Sequence, residues 1–495
     1  MNSETHNSLK EKAMKGFLWM FSGAGIQSLM QFVVLIVLAR LLDPETFGIA
    51  SAALVVISFV KIFATIGLGP ALVQKKKIND EHIGTSFVFS LFIATCLSVI
   101  VFIGSPYIAN FFHMDILSTV LKAMSVLFIL EGITQVSQSL IQRELMFNLL
   151  VRIQVLSYLS YGIVGTAFAL MGYGVWSLVF AHIVKELIKA SLSLYLQPYK
   201  IQFKFDFLSF KELIYFGGGQ SLTQISAEIT NEGDNFIVGK LLGADALGLY
   251  SRAYQLMVTP ASLLGKVLDK ILFPVVSKIQ NDQEKVANLY KENVRIATTL
   301  MFPGSLFLAL NAKNIILLLF GEQWLGLTEP FQILAISLLF RSSHKIGDTV
   351  VKAKGVVYYR AMINWIYAIM VVLFSYIGHF YGLKGVASGV LMATLLHYIF
   401  TTILAVIVTK VQISKLLQVH IGGLIIAAIV WISSIPFKSF ISPLFDYFIS
   451  ELIVSILLFL FIYLICFSLF PYIFIGSEGQ RLIKRFTDTY KNRKN

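Results

Sequence analysis

The chain has 495 residues, 57% hydrophobic and only 14% charged, where a soluble domain carries about 25% charged residues. That composition excludes a soluble enzyme or a nucleic-acid-binding domain and marks an integral membrane protein. The formal net charge of +13 is explained by where the basic residues fall, and the two cysteines, Cys96 and Cys466, lie inside apolar runs and form no disulfide or metal framework.

The first segment, residues 1–15, holds Lys10, Lys12 and Lys15 ahead of an apolar run that reaches Ala39. The run is too long for a signal-peptide core and has no small-residue cleavage site, so it reads as an uncleaved first span. A spanning helix needs about 20 apolar residues. By that rule the chain is all-α with about fourteen transmembrane helices, the first six at 16–38, 47–72, 84–103, 118–140, 153–171 and 175–196. The next six are 213–239, 247–273, 294–320, 330–351, 361–380 and 383–408, and two more follow at 419–435 and 448–470. Lys75, Lys76, Lys77, Arg143, Arg152, Lys204 and Lys211 fall on one side, with the basic tail of 471–495, whereas the opposite loops hold mainly Arg40, Lys240, Lys384 and Lys438. Both termini are therefore expected in the cytoplasm. The basic excess is topology, with attraction to anionic membrane lipid as a second effect and no nucleic-acid partner. No loop has room for a soluble catalytic domain, and GxxxxGK[ST] and HExxH are both missing.

Residues 39–51 (ARLLDPETFGIAS) align without gaps to residues 239–251 (GKLLGADALGLYS), and upstream GIQSLMQ at 25–31 matches GGQSLTQ at 218–224. The seventh span thus repeats the first and the eighth repeats the second. Two pseudo-symmetric six-helix bundles follow: an N-lobe over 16–196 and a C-lobe over 213–408, joined by a cytoplasmic linker at 197–212. Residues 409–470, with the last two spans, lie outside the repeat. Within the second copy, Gln220, Gln224, Glu228, Asn231 and Asn235 recur at i, i+4, i+8, i+11 and i+15, with Glu232 and Asp234 beside them. On a helix they form one polar stripe, which must face protein or water because a carboxylate at bilayer depth costs about 2.5–3.5 kcal/mol. The reading preferred here is a solvated cavity wall over interhelical glue. The segment is also rich in glycine (Gly217, Gly218, Gly219, Gly233), which suits a helix that bends or breaks during transport.

Several blocks together carry a family likeness. ARLLDPETFG at 39–48, GLGPALVQK at 67–75, GVWSLV at 174–179 and DNFIVGKLLG at 234–243 are joined by LGLYS at 247–251, Pro260, Phe273-Pro274 and GEQW at 321–324. Over roughly residues 10–410 the chain resembles the Wzx-type polysaccharide exporters, close to colanic-acid and teichuronic-acid exporters, in the superfamily of the MATE drug exporters and the lipid II flippase. The resemblance implies a bacterial inner-membrane secondary transporter, not an enzyme. Its cargo would be a polyprenyl-pyrophosphate-linked oligosaccharide turned from the cytoplasmic to the outer leaflet by alternating access of the two lobes. It implies no cofactor, with H⁺ or Na⁺ coupling usual in the superfamily, and a monomer working beside polysaccharide polymerase and export machinery. The alternative is a MATE-like cation-coupled multidrug exporter, which would need a net acidic cavity.

Such a cargo calls for cations to meet phosphate and amides to meet sugar. Lys61, in the middle of the second span, is a candidate phosphate contact or else the partner of an acid such as Glu131. Lys185, Arg252 and Arg341 are further cationic candidates; near Arg341 lie His344, Lys345 and Asp348, with a Lys345–Asp348 bridge as one reading. Gln27, Gln31, Gln220, Gln224, Asn231 and Asn235 are the candidate sugar contacts. Glu228, Asp234 and Glu131 are candidates for ion coupling or for neutralising a neighbouring cation. Lys266, Asp269 and Lys270 read as a gate cluster.

Overall fold

A chain in hydrocarbon must satisfy its backbone hydrogen bonds internally, so apolar runs of this length can only be helices. The computed structural model describes residues 23, 25–64, 68–75, 77–197, 203–437, 439 and 447–469; inside helices, the side chains of 64, 215–223, 260, 262–264 and 266–271 are not described. The expected N-terminal segment 1–15 and basic tail 471–495 lie outside these residues. Among the described residues all regular structure is helical.

The helices are α1 (Gly25–Leu41), α2 (Pro44–Ala64), α3 (Leu68–Gln74), α4 (Asp80–Phe112), α5 (Asp115–Met124), α6 (Val126–Arg143), α7 (Phe147–Leu170), α8 (Val175–Leu196) and α9 (Phe207–Leu241). They continue with α10 (Gly243–Ile279), α11 (Gln283–Leu310), α12 (Ala312–Leu319), α13 (Thr328–Ala353), α14 (Val357–Gly378), α15 (Gly382–Thr409), α16 (Ile413–Pro436) and α17 (Phe448–Leu469). The described parts of the expected spans are largely helical, and among the described residues eight stretches are long and apolar enough to cross a membrane by length and composition. The helices α8, α9, α10 and α13 fall outside those eight; they carry many of the chain's charged and amide side chains.

Three expected spans are divided. The span at 47–72 is α2 followed by α3, with Pro70 in the first turn of α3, where its missing N–H costs nothing. The span at 118–140 is α5 and α6, which meet at Ser125. The span at 294–320 starts earlier, at Gln283, where Asp282 caps the Lys285 amide (3.1 Å), and breaks at Asn311 before α12. By contrast α9, whose glycines suit bending during transport, is one continuous helix here, capped by Asp206 at the Ser209 amide (2.7 Å).

Contacts divide the chain into two compact units, Met1–Ser251 and Arg252–Asn495. In the first, α4 packs on α5 and α6, α7 on α8, and α9 on α2, α3 and α4. Leu68, Leu72, Ile83, Phe87, Val136, Leu140 and Leu213 form a core where α3, α4, α6 and α9 meet. Arg143 holds the end of α3 by donating to the carbonyls of Leu72 (2.6 Å) and Lys75 (2.7 Å). In the second unit α13 packs along α15 and α11, α14 along α15, and α16 along α11. The final helix α17 joins α16 through Ile426, Val430, Ile462 and Cys466, so the two helices outside the repeat are built into this unit. Phe92, Ile100, Ile103, Ile369, Leu373 and Leu464 point outward, as lipid-facing side chains would, whereas Ser86, Ser90, Ser137 and Thr394 are buried.

The two repeat copies touch each other inside the first unit. A Cβ on Gly48 of α2 would overlap the Ala244 carbonyl, and a Cβ on Gly248 of α10 would overlap the Pro44 carbonyl. One turn on, the Ser51 and Ser251 hydroxyls lie 3.1 Å apart. Three pairs, Pro44/Ala244, Gly48/Gly248 and Ser51/Ser251, share the 200-residue offset of the repeat, so the crossing is locally two-fold symmetric. Only glycine at both positions lets the backbones come this close.

Candidate functional site

Five charged side chains come together in the first unit on three helices. Lys61 is near the end of α2, Glu131 is in the first half of α6, and Lys185, Glu186 and Lys189 lie along α8. Glu131 is the hub: Oε1 is 2.9 Å from Lys61 Nζ and Oε2 is 3.5 Å from Lys189 Nζ. Lys189 also reaches Glu186 at 3.0 Å, and Glu186 meets Lys185 at 3.1 Å. Helical geometry sets this up, since residues 185, 186 and 189 are related by i+3 and i+4 steps and share one face of α8. Gly132 next to the hub brings α6 against the Ser90 backbone of α4.

Three lysines and two glutamates leave this network at +1. Charges taken out of water are stable only when paired, and a chain of bridges around one acid achieves that while keeping excess positive charge. Lys61 has the most exposed side chain of the three lysines, 42% against 26% for Lys185 and 18% for Lys189. It is thus the one best able to meet an anion while Lys189 stays on Glu131.

The geometry shows the paired reading of Lys61, since its partner is the named acid Glu131. Lys185 likewise sits in the network. Glu186 and Lys189 were not among the candidates; the signal was the KELIK spacing at 185–189, which repeats Lys at i+4 around an acid.

The polar stripe is on α9 as expected, but its members differ. Asn231 is exposed, Gln224 and Glu228 are half-buried, and Asn235 is buried and donates to Glu232 at 2.9 Å. Asp234 is fully buried and accepts from the Tyr250 hydroxyl at 2.8 Å, a bond within the repeat. Gln27 and Gln31 are half-buried on α1. The side chain of Gln220, and those of the expected gate cluster Lys266, Asp269 and Lys270, lie outside the described residues.

In the second unit Arg252 is half-buried at the start of that unit, and Arg341 is buried with its guanidinium 5.0 Å from the centre of the Tyr254 ring, a cation–π contact. The Lys345–Asp348 bridge does not form. Asp348 is held instead by Arg360 of α14, which grips both carboxylate oxygens; a planar guanidinium fits a carboxylate in a way one ammonium cannot. Among the described residues no group of three or more His, Cys, Asp or Glu side chains could hold a metal ion.

Helices apolar enough to span a bilayer, several of them carrying paired charges, define a multi-pass membrane protein. The fold is the one seen in the lipid II flippase MurJ in its inward closed conformation, at a TM-score of 0.75 and 17% identity over 91% of this chain and 98% of that one. The chain belongs to the family described as polysaccharide biosynthesis protein, whose model matches residues 37–329. It is similar to the lipopolysaccharide biosynthesis protein WzxC of Escherichia coli (strain K12), 26% identical over 80% of this chain and 81% of the relative. It is also similar to the teichuronic acid biosynthesis protein TuaB of Bacillus subtilis (strain 168), 23% identical over 70% of this chain and 72% of that protein.

Proposed function

We propose that this chain is a flippase that turns a polyprenyl-pyrophosphate-linked oligosaccharide from the cytoplasmic to the outer leaflet of the bacterial inner membrane, supplying a capsule, exopolysaccharide or related surface polymer. The observation that carries this reading is the +1 network around Glu131, set in a chain whose family is polysaccharide biosynthesis. A diphosphate crossing hydrocarbon needs a cation to replace water around its oxygens, and a lysine already held by a neighbouring acid is positioned without being left bare. Lys61 is the phosphate contact in this account and Lys185 its second; Arg252 and Arg341 are further cationic candidates for phosphate. The amides of Gln27, Gln31, Gln220, Gln224 and Asn231 meet sugar hydroxyls.

Transport is by alternating exposure of these groups to the two leaflets, with no covalent step, and Glu228 and Asp234 are the acids for coupling to H⁺ or Na⁺. The family match is named for polysaccharide biosynthesis and the two relatives for lipopolysaccharide and teichuronic acid biosynthesis, which leaves export of cationic drugs the less supported reading. Deleting the gene in its host tests the proposal. Surface polymer should vanish and lipid-linked oligosaccharide should build up, with relief by wild type and none by Lys61→Ala. Unchanged polymer with new sensitivity to cationic dyes would sink it.

A further inference from the structure

Two histidines that no part of the account above uses meet inside the second unit. His344 of α13 and His397 of α15 are 9% and 4% exposed, and their rings pack edge to face at 4.6 Å between centroids. The other face of His397 stacks on Tyr367 of α14 at 4.1 Å and 6°, and the Tyr367 hydroxyl is engaged 3.1 Å from Thr394 Oγ1. Nδ1 of His344 and Nδ1 of His397 are both buried, and neither has a hydrogen-bond partner among the described residues. Buried polar atoms are nearly always satisfied, so a pair of open ring nitrogens on adjoining side chains calls for a reason.

The atoms are too enclosed for a sugar or a phosphate, but each can take a proton. Two protons would place two positive charges a ring's width apart in a low dielectric, so the pair holds one. The surroundings set when. Arg341 and Lys345 flank His344 on α13, one turn or less away, and Gly265 of α10 lies against the Lys345 stem. Facing them from α14 is Arg360, which occupies Asp348; Tyr254 of α10 lies under Arg341. Tyr290 of α11 approaches at Gly347, and Tyr398 of α15 is bonded to His420 at 2.7 Å. The described groups nearest the rings are thus cationic or neutral, apart from an acid already held by Arg360.

We infer that His344 and His397 form a one-proton site linked to an anion at Arg341 and Lys345: the rings stay neutral beside those two cations and take up a proton when a phosphate-bearing group arrives. By linkage, the proton tightens the anion by the same factor that the anion tightens the proton. This rests on the reading that the cargo carries phosphate.

The test is calorimetric binding of farnesyl pyrophosphate, a short polyprenyl pyrophosphate, to the full chain in nanodiscs near neutral pH. Buffers of low and high ionisation enthalpy report protons exchanged. Wild type should take up a fraction of a proton, up to one, per ligand; the His344→Gln/His397→Gln variant should still bind, more weakly, with that uptake lost. Uptake equal in both, or none in wild type, overturns the histidine proposal and leaves the cargo reading standing. Absence of binding by wild type overturns both. Should the double variant not fold, the single variants are compared instead, and uptake equal to wild type in both of them overturns the paired site.

Discussion

Ser51 and Ser251 stand 200 positions apart in the chain, yet their hydroxyl oxygens are 3.1 Å apart, at equivalent positions of the two repeat copies. The repeat therefore does more than duplicate a helix pair: it supplies both halves of a self-complementary crossing. Such a crossing can close and open as a unit, since each copy presents the surface the other needs. With Cys96 and Cys466 first replaced by serine, Ser51→Cys and Ser251→Cys should form a disulfide under mild oxidation. Oxidised cells should then lose surface polymer and recover it on reduction. Full export with the disulfide formed would show that the crossing stays closed throughout the cycle.

The glycines beneath that pair give a stability prediction. Gly48→Ala drives a methyl into the Ala244 carbonyl, an overpacking expected to cost about 1–3 kcal/mol or to part the helices. Gly304→Ala, in α11, meets nothing within 4 Å and should be neutral or raise stability by about 0.5–1 kcal/mol through helix propensity. Thermal unfolding in detergent measures both. Equal midpoints for the two variants would contradict the close crossing.

Glu131 is the hub of the charge network, and Glu131→Gln leaves Lys61 and Lys189 without their shared acid. Removing one partner of a buried pair costs about 3–5 kcal/mol; the exposure of Lys61 places the expected loss at or below the lower end. Adding Lys189→Met should restore part of it, and a double-mutant cycle on thermal stability reads the coupling. Strict additivity of the two changes would mean that the network carries no mutual stabilisation.

At the start of α9, ahead of the expected span, Glu212 accepts hydrogen bonds from Lys75 and from His82 (3.2 Å). The Lys75 hydrogen bond, then that of His82, holds the Glu212 carboxyl below the ordinary carboxylate range. A lowered carboxylate contributes its stability above its unfolded value and loses it as pH falls through the folded one. The contact should thus be intact at neutral pH and lost in mildly to strongly acid solution, loosening the first turn of α9. Proteolysis at that turn between pH 3 and 6 (roughly the carboxylate range) checks this: wild type should become more sensitive on acidification, and Glu212→Gln should be equally sensitive throughout.

Much of this was legible in the sequence. Apolar run lengths locate the helices, because hydrocarbon leaves the backbone no other option. The 39–51 and 239–251 alignment names the residues of the crossing, and Lys61 with Glu131 was one of its two readings. The contact between the copies was not legible, since self-similarity says that two segments fold alike and nothing about whether they meet. Lys189 is not singled out by Lys185 taken alone, because the i+3 and i+4 partners on the helix face decide the pairing. A Lys345–Asp348 bridge on one helix is one reading of the spacing, where the structure prefers the two-pronged grip of Arg360 from α14. His344 and His397, 53 positions apart among eight scattered histidines, carried no local signal; packing of α13 along α15 brings them together.

The most direct test of the central claim is the sidedness of the lipid-linked oligosaccharide itself. In spheroplasts of the host, a membrane-impermeant oxidant of sugar diols modifies only glycan on the outer leaflet, and extracted lipid reports the modified fraction. The account predicts a large modified fraction with wild type, almost none after deletion, and almost none with Lys61→Ala expressed at wild-type level. An outer-leaflet fraction that is unchanged by deletion would contradict it.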